Sequence, residues 1–121
     1  MKGLGADVVE LRRFERSLAR SPSFATDVFT EGERAYAESR PRPSLHLAAR
    51  FAAKEAFLKA VDRGVLDLDL REVEVVREPS GRPVLRLGPG ARQALAGAGA
   101  TGTHVSLSHD GDVAFAVVVV A

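Results

Sequence analysis

The stretch PSLHLAARFAAKEAFLKAVDRG, residues 43–64, decides the fold of this 121-residue chain. It is rich in alanine, opens at Pro43 and Ser44, has no internal proline and closes near Gly64. Alanine has the highest intrinsic helix propensity, proline is tolerated in the first helical turn, and glycine is common where helices end. The stretch therefore predicts a long central helix.

The segments before this helix predict one strand and two shorter helices. GLGADVVEL, residues 3–11, joins glycines to a β-branched run and predicts a first strand. RRFERSLAR, residues 12–20, has helical spacing and stops at Pro22. Thr30 and Glu33 form the pattern of a capping box, in which each side chain bonds a backbone N–H at the start of a helix.

The segments after the central helix predict two hairpins and one modest helix. LREVEVVRE alternates polar and apolar residues, PSGRP is a turn, and VLRL resumes the alternation over residues 84–87. A helix is predicted from Pro89 to Ala100. THVSLS and VAFAVVVV flank the turn cluster HDGD, which predicts a closing hairpin. The expected fold is α+β, with an antiparallel sheet packed against the long central helix in one domain, residues 1–121.

Composition excludes several kinds of site. Cysteine is absent, so disulfides, thiolate metal sites and a cysteine nucleophile are excluded, and any metal would bind oxygen or imidazole. No run approaches the roughly eighteen apolar residues that a membrane span needs, and the N-terminus turns polar too soon for a secretory signal. We expect a soluble, cytoplasmic protein without a membrane partner.

The net charge is only +1, but Lys and Arg outnumber Asp and Glu through Arg63, and the reverse holds after it. The first half of the chain is therefore the candidate anion-binding surface. Aromatic residues are few, tryptophan is absent, and no DNA- or RNA-binding signature is present. We expect no nucleic-acid partner.

Four charged residues on the central helix have a spacing that allows two interpretations. Arg50 and Lys54 are four residues apart, as are Glu55 and Lys59, so each pair projects from neighbouring turns. The common interpretation is a solvated, salt-bridged face. The alternative is a metal–phosphate site, because alanines around Glu55 leave room for a close approach to another element or a ligand.

Asp7 lies in a strand that otherwise has the composition of a buried one. A buried aspartate is costly unless it is paired or binds a metal, although an aspartate at a strand turn is a plain structural alternative. Asp7 and Glu55 together would offer two oxygen ligands, and Mg²⁺ usually takes one or two carboxylates and completes its shell with water and phosphate. Arg50, Lys54 and Lys59 would then hold the phosphates.

Two further features involve cationic side chains. His109 stands at the mouth of the last hairpin, where it would either donate to a phosphate or cap a turn. The first helix carries four arginines, Arg12, Arg13, Arg16 and Arg20. Such a run is usually a solvated face, and the alternative is docking to an acidic partner.

Four motifs resemble, in order and approximate spacing, those of holo-acyl-carrier-protein synthases, the small single-domain 4′-phosphopantetheinyl transferases. They are GLGADVVEL, FTEGE, RFAAKEAFLK and VSLSHDGDVAFAVVVV. The resemblance covers essentially the whole chain. Its most specific element is the Lys54-Glu55 pair with Lys59 four residues later, preceded near the N-terminus by Asp7.

The resemblance implies an enzyme that transfers phosphopantetheine from coenzyme A to a serine hydroxyl of an apo acyl carrier protein and releases adenosine 3′,5′-bisphosphate. It implies that Asp7 and Glu55 hold Mg²⁺ against the coenzyme A pyrophosphate and that Lys59 contacts the phosphate under attack. It implies further that the remaining phosphates are held by three residues, Arg50, Lys54 and His109.

The resemblance also implies how the protein assembles and meets its partner. Arg13 and Arg20 would grip the acidic helix of the carrier protein, and the protein would be a homotrimer with interfacial active sites, working in fatty acid biosynthesis. Glu55 is the candidate base for the serine proton, directly or through water. One departure is the turn after Lys59, which is glycine-rich in the family but contains Asp62 and Arg63 here.

Two other functions fit the same residues. A Mg²⁺-dependent nucleotide-binding protein would use the same carboxylates without modifying a carrier. A non-enzymatic basic module would dock an acidic helix through the arginines between Arg12 and Arg20.

Overall fold

The computed structural model describes every residue from Met1 to Ala121. Its centre is a three-stranded antiparallel sheet. The strands are β1 (Gly3–Glu10), β4 (Thr103–Asp110) and β5 (Val113–Val120), and they lie in the order β1-β5-β4. The first and last strands of the chain are therefore neighbours, and β5 pairs with both of the others.

Five helices and a second, two-stranded sheet surround this centre. The longest helix is the 18-residue α4 (Pro43–Ala60), which packs against both β1 and β5. The second sheet is antiparallel and follows a 3-10 turn at Leu70–Glu72. The remaining bounds are α1 (Leu11–Arg20), α2 (Phe24–Val28), α3 (Glu31–Glu38), β2 (Val73–Arg77), β3 (Pro83–Leu87) and α5 (Pro89–Gly97).

The backbones of β1 and α4 lie unusually close together. A Cβ atom at Gly5 would overlap the carbonyl oxygen of Ala56, and one at Gly3 would overlap that of Ala60. Alanine on the helix and glycine on the strand remove the side chains that would otherwise separate the two elements. This close approach brings the residues that follow Gly5 in β1 next to the C-terminal half of α4.

The hydrophobic core lies between α4 and the inner face of the three-stranded sheet. Alternate residues of β5 are fully buried, as expected for a strand with one face on the core: Ala114, Ala116, Val118 and Val120. Most of α4 is buried, including Ala52, Ala53 and Ala56. These residues belong to one continuous cluster of 24 buried hydrophobic side chains.

The prediction of an α+β fold, with an antiparallel sheet on a long central helix, is confirmed. The strands form two sheets, however, and the short helix α2 was not predicted. The closing turn is also shorter than HDGD, because His109 and Asp110 continue β4 and only Gly111 and Asp112 form the turn.

Helix α4 ends at Ala60, earlier than the predicted end near Gly64. Asp62 adopts a left-handed φ of 57°, and the Arg63 amide donates to the Leu58 carbonyl at 2.9 Å. This is the hydrogen-bond pattern of a Schellman motif, in which glycine is the usual left-handed residue. An aspartate tolerates this conformation better than most residues, so the charged turn still terminates the helix.

Candidate active site

Asp7 and Glu55 line the same cavity, where β1 passes the middle of α4. The cavity has a volume of about 350 Å³ and opens to solvent. Its other walls come from α1, α2 and α4. The further lining residues are Val8, Val9, Glu10, Arg13, Phe14, Ser17, Phe24 and Phe51. The structure therefore brings together two carboxylates that are 48 residues apart in sequence.

Lys59 fixes the Asp7 carboxylate from the next turn of α4. Its Nζ donates to Asp7 Oδ1 at 3.2 Å and to the Ala6 carbonyl at 3.0 Å. The Lys59 side chain is 56% exposed, whereas the Asp7 side chain is 19% exposed. An ammonium group has three donors, so one N–H of Lys59 stays available to a ligand.

Burial and two neighbouring charged groups affect the pKa of the Glu55 carboxyl group. Burial raises the pKa of Glu55, the Asp7 carboxylate raises it further, and Lys59 opposes the change. Two like charges sharing one cavity explain the second effect. A cation between Asp7 and Glu55 would remove the repulsion that raises this pKa.

The donor set of the cavity fits Mg²⁺. Two carboxylates are the number that this ion commonly accepts, with water and substrate phosphate as the other ligands. No group of three or more His, Asp or Glu side chains is arranged to hold a metal. The Asp7–Glu55 pair therefore suits an ion that draws the rest of its ligands from water and substrate.

Lys54 does not lie in this cavity, and the prediction that it holds a phosphate is wrong. Its ammonium group is fully buried and donates to Glu33 Oε1, the Leu70 carbonyl and the Val73 carbonyl, at 2.8, 2.9 and 2.7 Å. Burial lowers the pKa of Lys54, and Glu33 opposes that change. All three donors are used inside the protein, so none is left for a ligand.

Arg50 and His109 lie together, but in a second cavity. This cavity has a volume of about 130 Å³, and its lining includes His46 and Arg77. The Arg50 guanidinium group lies 4.4 Å from the Tyr36 ring centroid, and its buried Nε has no hydrogen-bond partner. Burial and the charge of Arg50 lower the pKa of His46. The second cavity is therefore cationic and has an unpaired donor in its wall.

The two cavities open on different sides of α4 because Arg50 and Glu55 are five positions apart along the helix. Successive helical residues turn by about 100°, so these two side chains point roughly 140° apart. Within this chain the two groups of predicted site residues thus form two pockets, one with the carboxylates and one with cations.

The predicted partner-binding arginines lie on one face of α1. Arg13 lines the cavity of Asp7 and Glu55, and its backbone N–H donates to Glu10 Oε2 at 2.6 Å. Arg20 is seven residues later, which returns to nearly the same side of a helix. Arg13 and Arg20 are both exposed. The neighbouring Arg12 pairs with Asp112 at 3.6 Å.

Sequence reasoning missed two parts of the site. Phe14, Phe24 and Phe51 form an aromatic wall, with ring centroids 5.7–5.8 Å apart. Glu33, recognised only as a capping residue, is also the buried partner of Lys54. The phenylalanines come from three helices, so no local pattern joins them, and nothing in the sequence near Glu33 indicates its second partner.

None of the helices combines the length and the apolar composition that a membrane crossing requires. The only helix of 18 residues is α4, and charged residues interrupt it.

Comparison with known proteins adds an independent observation. The family model described as 4′-phosphopantetheinyl transferase superfamily matches residues 3–118. The holo-[acyl-carrier-protein] synthase of Syntrophus aciditrophicus is 44% identical over 97% of this chain and 93% of its own length. That of Salinispora arenicola is 46% identical over 96% and 94%.

Solved structures agree with these sequence matches. The crystal structure of holo-[acyl-carrier-protein] synthase from Neisseria meningitidis is 32% identical, with a TM-score of 0.90 over 100% of this chain and 98% of that one. The Helicobacter pylori enzyme in complex with coenzyme A is 27% identical, with a TM-score of 0.83 over 98% and 99%. The chain therefore belongs to the 4′-phosphopantetheinyl transferase superfamily, among its holo-[acyl-carrier-protein] synthases.

Proposed function

We propose that this protein, as a single domain spanning residues 1–121, transfers 4′-phosphopantetheine from coenzyme A to a serine of an apo acyl carrier protein. The observation that carries the proposal is the cavity that Asp7 and Glu55 both line, with Lys59 paired to Asp7. Structures of relatives in complex with coenzyme A support coenzyme A as the donor. The product would be holo-acyl carrier protein for fatty acid biosynthesis in the cytoplasm.

The reaction breaks the pyrophosphate of coenzyme A. The serine Oγ forms a bond to the phosphorus that carries pantetheine, the bridging P–O bond breaks, and adenosine 3′,5′-bisphosphate leaves. Asp7 and Glu55 would hold Mg²⁺, which when bound neutralises charge on the pyrophosphate. Lys59 offers its free N–H to an oxygen of the phosphate under attack.

Glu55 is the proposed acceptor of the serine proton, directly or through water. A general base works best when its pKa lies near the operating pH. Burial, the largest influence on the pKa of Glu55, raises it and so moves it in that direction. Arg50 and His109 would hold the remaining phosphates from the cationic cavity of a neighbouring copy, because the two cavities of one chain open on different sides of α4.

We propose that the protein is a homotrimer whose active sites lie at subunit interfaces. The outer face of the three-stranded sheet supports this assembly, because it exposes Leu4 by 55%, Val8 by 61% and Phe115 by 37%. Val8 also lines the cavity of Asp7 and Glu55, so a second copy on this face would reach the site. Light scattering should give about three times the chain mass of 12.9 kDa. Phe115→Asp should give a single-chain mass, and a trimer from that variant would argue against this interface.

Reversal of the charge at Arg13 should weaken carrier binding. Arg13→Glu removes an attraction to an acidic helix and adds a repulsion. Each of these two changes is worth about 1 kcal/mol, so the carrier KM should rise at least tenfold. The KM for coenzyme A should rise by a smaller factor than the KM for the carrier. The matched control is Arg82→Glu, an exposed arginine in the turn between β2 and β3. Unchanged carrier affinity in Arg13→Glu would remove Arg13 from the docking surface.

Intact-protein mass spectrometry tests the function directly. Apo acyl carrier protein is incubated with this protein, coenzyme A and Mg²⁺, beside a reaction with EDTA. We expect a mass gain of one phosphopantetheine that EDTA prevents. Binding of nucleotides without a mass gain in several carriers would instead support the Mg²⁺-dependent nucleotide-binding function. Binding of carriers alone would support the docking module.

A further inference from the structure

The pair formed by Lys54 and Glu33 is the most completely buried polar group in the protein, and the mechanism does not use it. The side chains of both residues are 0% exposed. Glu33 also accepts from the Thr30 and Val75 amides, at 3.1 and 2.9 Å. A buried ion pair is often replaceable by apolar residues without loss of stability. Stability alone therefore gives a weak reason for this arrangement.

The network connects α4 to three other parts of the fold. Lys54 reaches α3 through Glu33, the 3-10 turn through the Leu70 carbonyl, and β2 through the Val73 carbonyl. All these contacts lie on one side of α4. The tight contact between Ala56 and Gly5 of β1 holds α4 elsewhere on its circumference.

Glu55 lies between these two attachments. With about 100° per residue, Lys54 and Ala56 point about 200° apart, and Glu55 points about 100° from each. The two attachments therefore set the rotation of α4 about its axis, and with it the direction of Glu55. A helix with its side chains is about 10–12 Å across, so a rotation of about 20° would move the carboxylate by roughly 2 Å.

We infer that Lys54, through Glu33, is a positioning residue that holds α4 in the rotation at which the Glu55 carboxylate faces Asp7. The inference rests on the proposed function, in which Glu55 acts at the reacting centre. Misplacement of a reacting group by about 1 Å can cost about a hundredfold in rate. Loss of the pair should therefore lower kcat more than it raises the KM for coenzyme A, because Lys54 itself does not contact coenzyme A.

The test uses the double variant Lys54→Met/Glu33→Gln, which roughly keeps both side-chain lengths and removes both charges. A glutamine still offers an oxygen to the capping box at Thr30. We expect kcat to fall at least tenfold and the KM for coenzyme A to rise by a clearly smaller factor. The control is Leu95→Ala on α5, a core change away from α4 that should lower the melting temperature but leave kcat within twofold.

Two results with the double variant would overturn the inference. One is a kcat within twofold of the unmodified protein, which would make the pair purely structural. The other is a rise of tenfold in the KM for coenzyme A at unchanged kcat, which would make Lys54 a phosphate ligand. Absence of transfer by the unmodified protein would overturn the proposed function and the inference together. Normal transfer by the unmodified protein, with either of the two results above, would overturn the inference alone.

A second variant keeps the test decisive if the double variant does not fold. Lys54→Arg preserves the positive charge but places a larger, forked group among the three acceptors. A positioning role predicts a fall of at least tenfold in kcat, because α4 must shift to admit the guanidinium group. Unchanged kcat in Lys54→Arg would contradict the inference.

Discussion

Glu55→Gln should abolish phosphopantetheine transfer and, at pH 7, raise the melting temperature. Glutamine cannot accept the serine proton and is a poor ligand for Mg²⁺, and general-base catalysis alone contributes about 10² to 10⁴ in rate. We therefore expect a loss of about a thousandfold or more. The gain in stability follows from the raised pKa of Glu55, because ionisation of this group opposes folding.

The pH range of the stability effect follows from the direction of that pKa change. A raised pKa means that the folded protein binds the Glu55 proton more tightly than the unfolded chain does. This contribution to stability is fully present below the ordinary glutamate value of 4.5 and is lost as the pH rises through the folded-state pKa. The difference between Glu55→Gln and the unmodified protein should therefore be large at pH 7 and small below pH 4.5.

Transfer rates by mass spectrometry at pH 7, and melting curves recorded without Mg²⁺ at pH 7 and below pH 4.5, check this prediction. The matched control is Glu78→Gln, at an exposed position beside the turn between β2 and β3, which should change neither quantity at pH 7. More than a tenth of the normal transfer rate would contradict the role of Glu55. A lower melting temperature at pH 7 would contradict the account of its pKa.

Much of the fold was predictable because its signals are local. The alanine-rich segment predicted α4, and the capping box predicted at Thr30 and Glu33 has both of its hydrogen bonds. The alternating runs and their turns predicted both hairpins. Helix α2 was missed because Phe24–Val28 is a five-residue helix without a capping side chain, too short to show a helical period.

The site was predictable only in part, because spacing along a helix gives direction but not surroundings. Lys54 does project from the turn after that of Arg50, but its ammonium group faces α3 and β2 rather than a ligand. Glu33, the buried partner of Lys54, lies 21 residues earlier in the sequence. Asp7 and Glu55 meet because Gly5 lets β1 approach α4, and the sequence showed the glycine without showing what it touches.

Gly5→Ala should destabilise the protein more than any conservative change in its core. The added Cβ would overlap the Ala56 carbonyl oxygen, which is backbone and has no rotamer by which to move away. The strand and helix must separate, which also disturbs the packing of β5 on α4. We expect a loss of about 3 kcal/mol or more, beyond the usual 1–3 kcal/mol for overpacking, out of a typical total of about 5–15 kcal/mol.

Urea unfolding of Gly5→Ala and of two companion variants separates the effect of the overlap with the Ala56 carbonyl from a general effect of alanine. Gly102→Ala adds the same methyl group where no atom lies within 4 Å, and it should stay within about 0.5 kcal/mol of the unmodified protein. Gly5→Ala/Ala56→Gly should not recover stability, because the overlap is with the carbonyl oxygen, which that change leaves in place. Recovery would show that side chains rather than backbones set the distance between β1 and α4. If Gly5→Ala cost less than about 1 kcal/mol, this contact would not be what holds Asp7 beside Glu55, because the two elements could then separate at little cost.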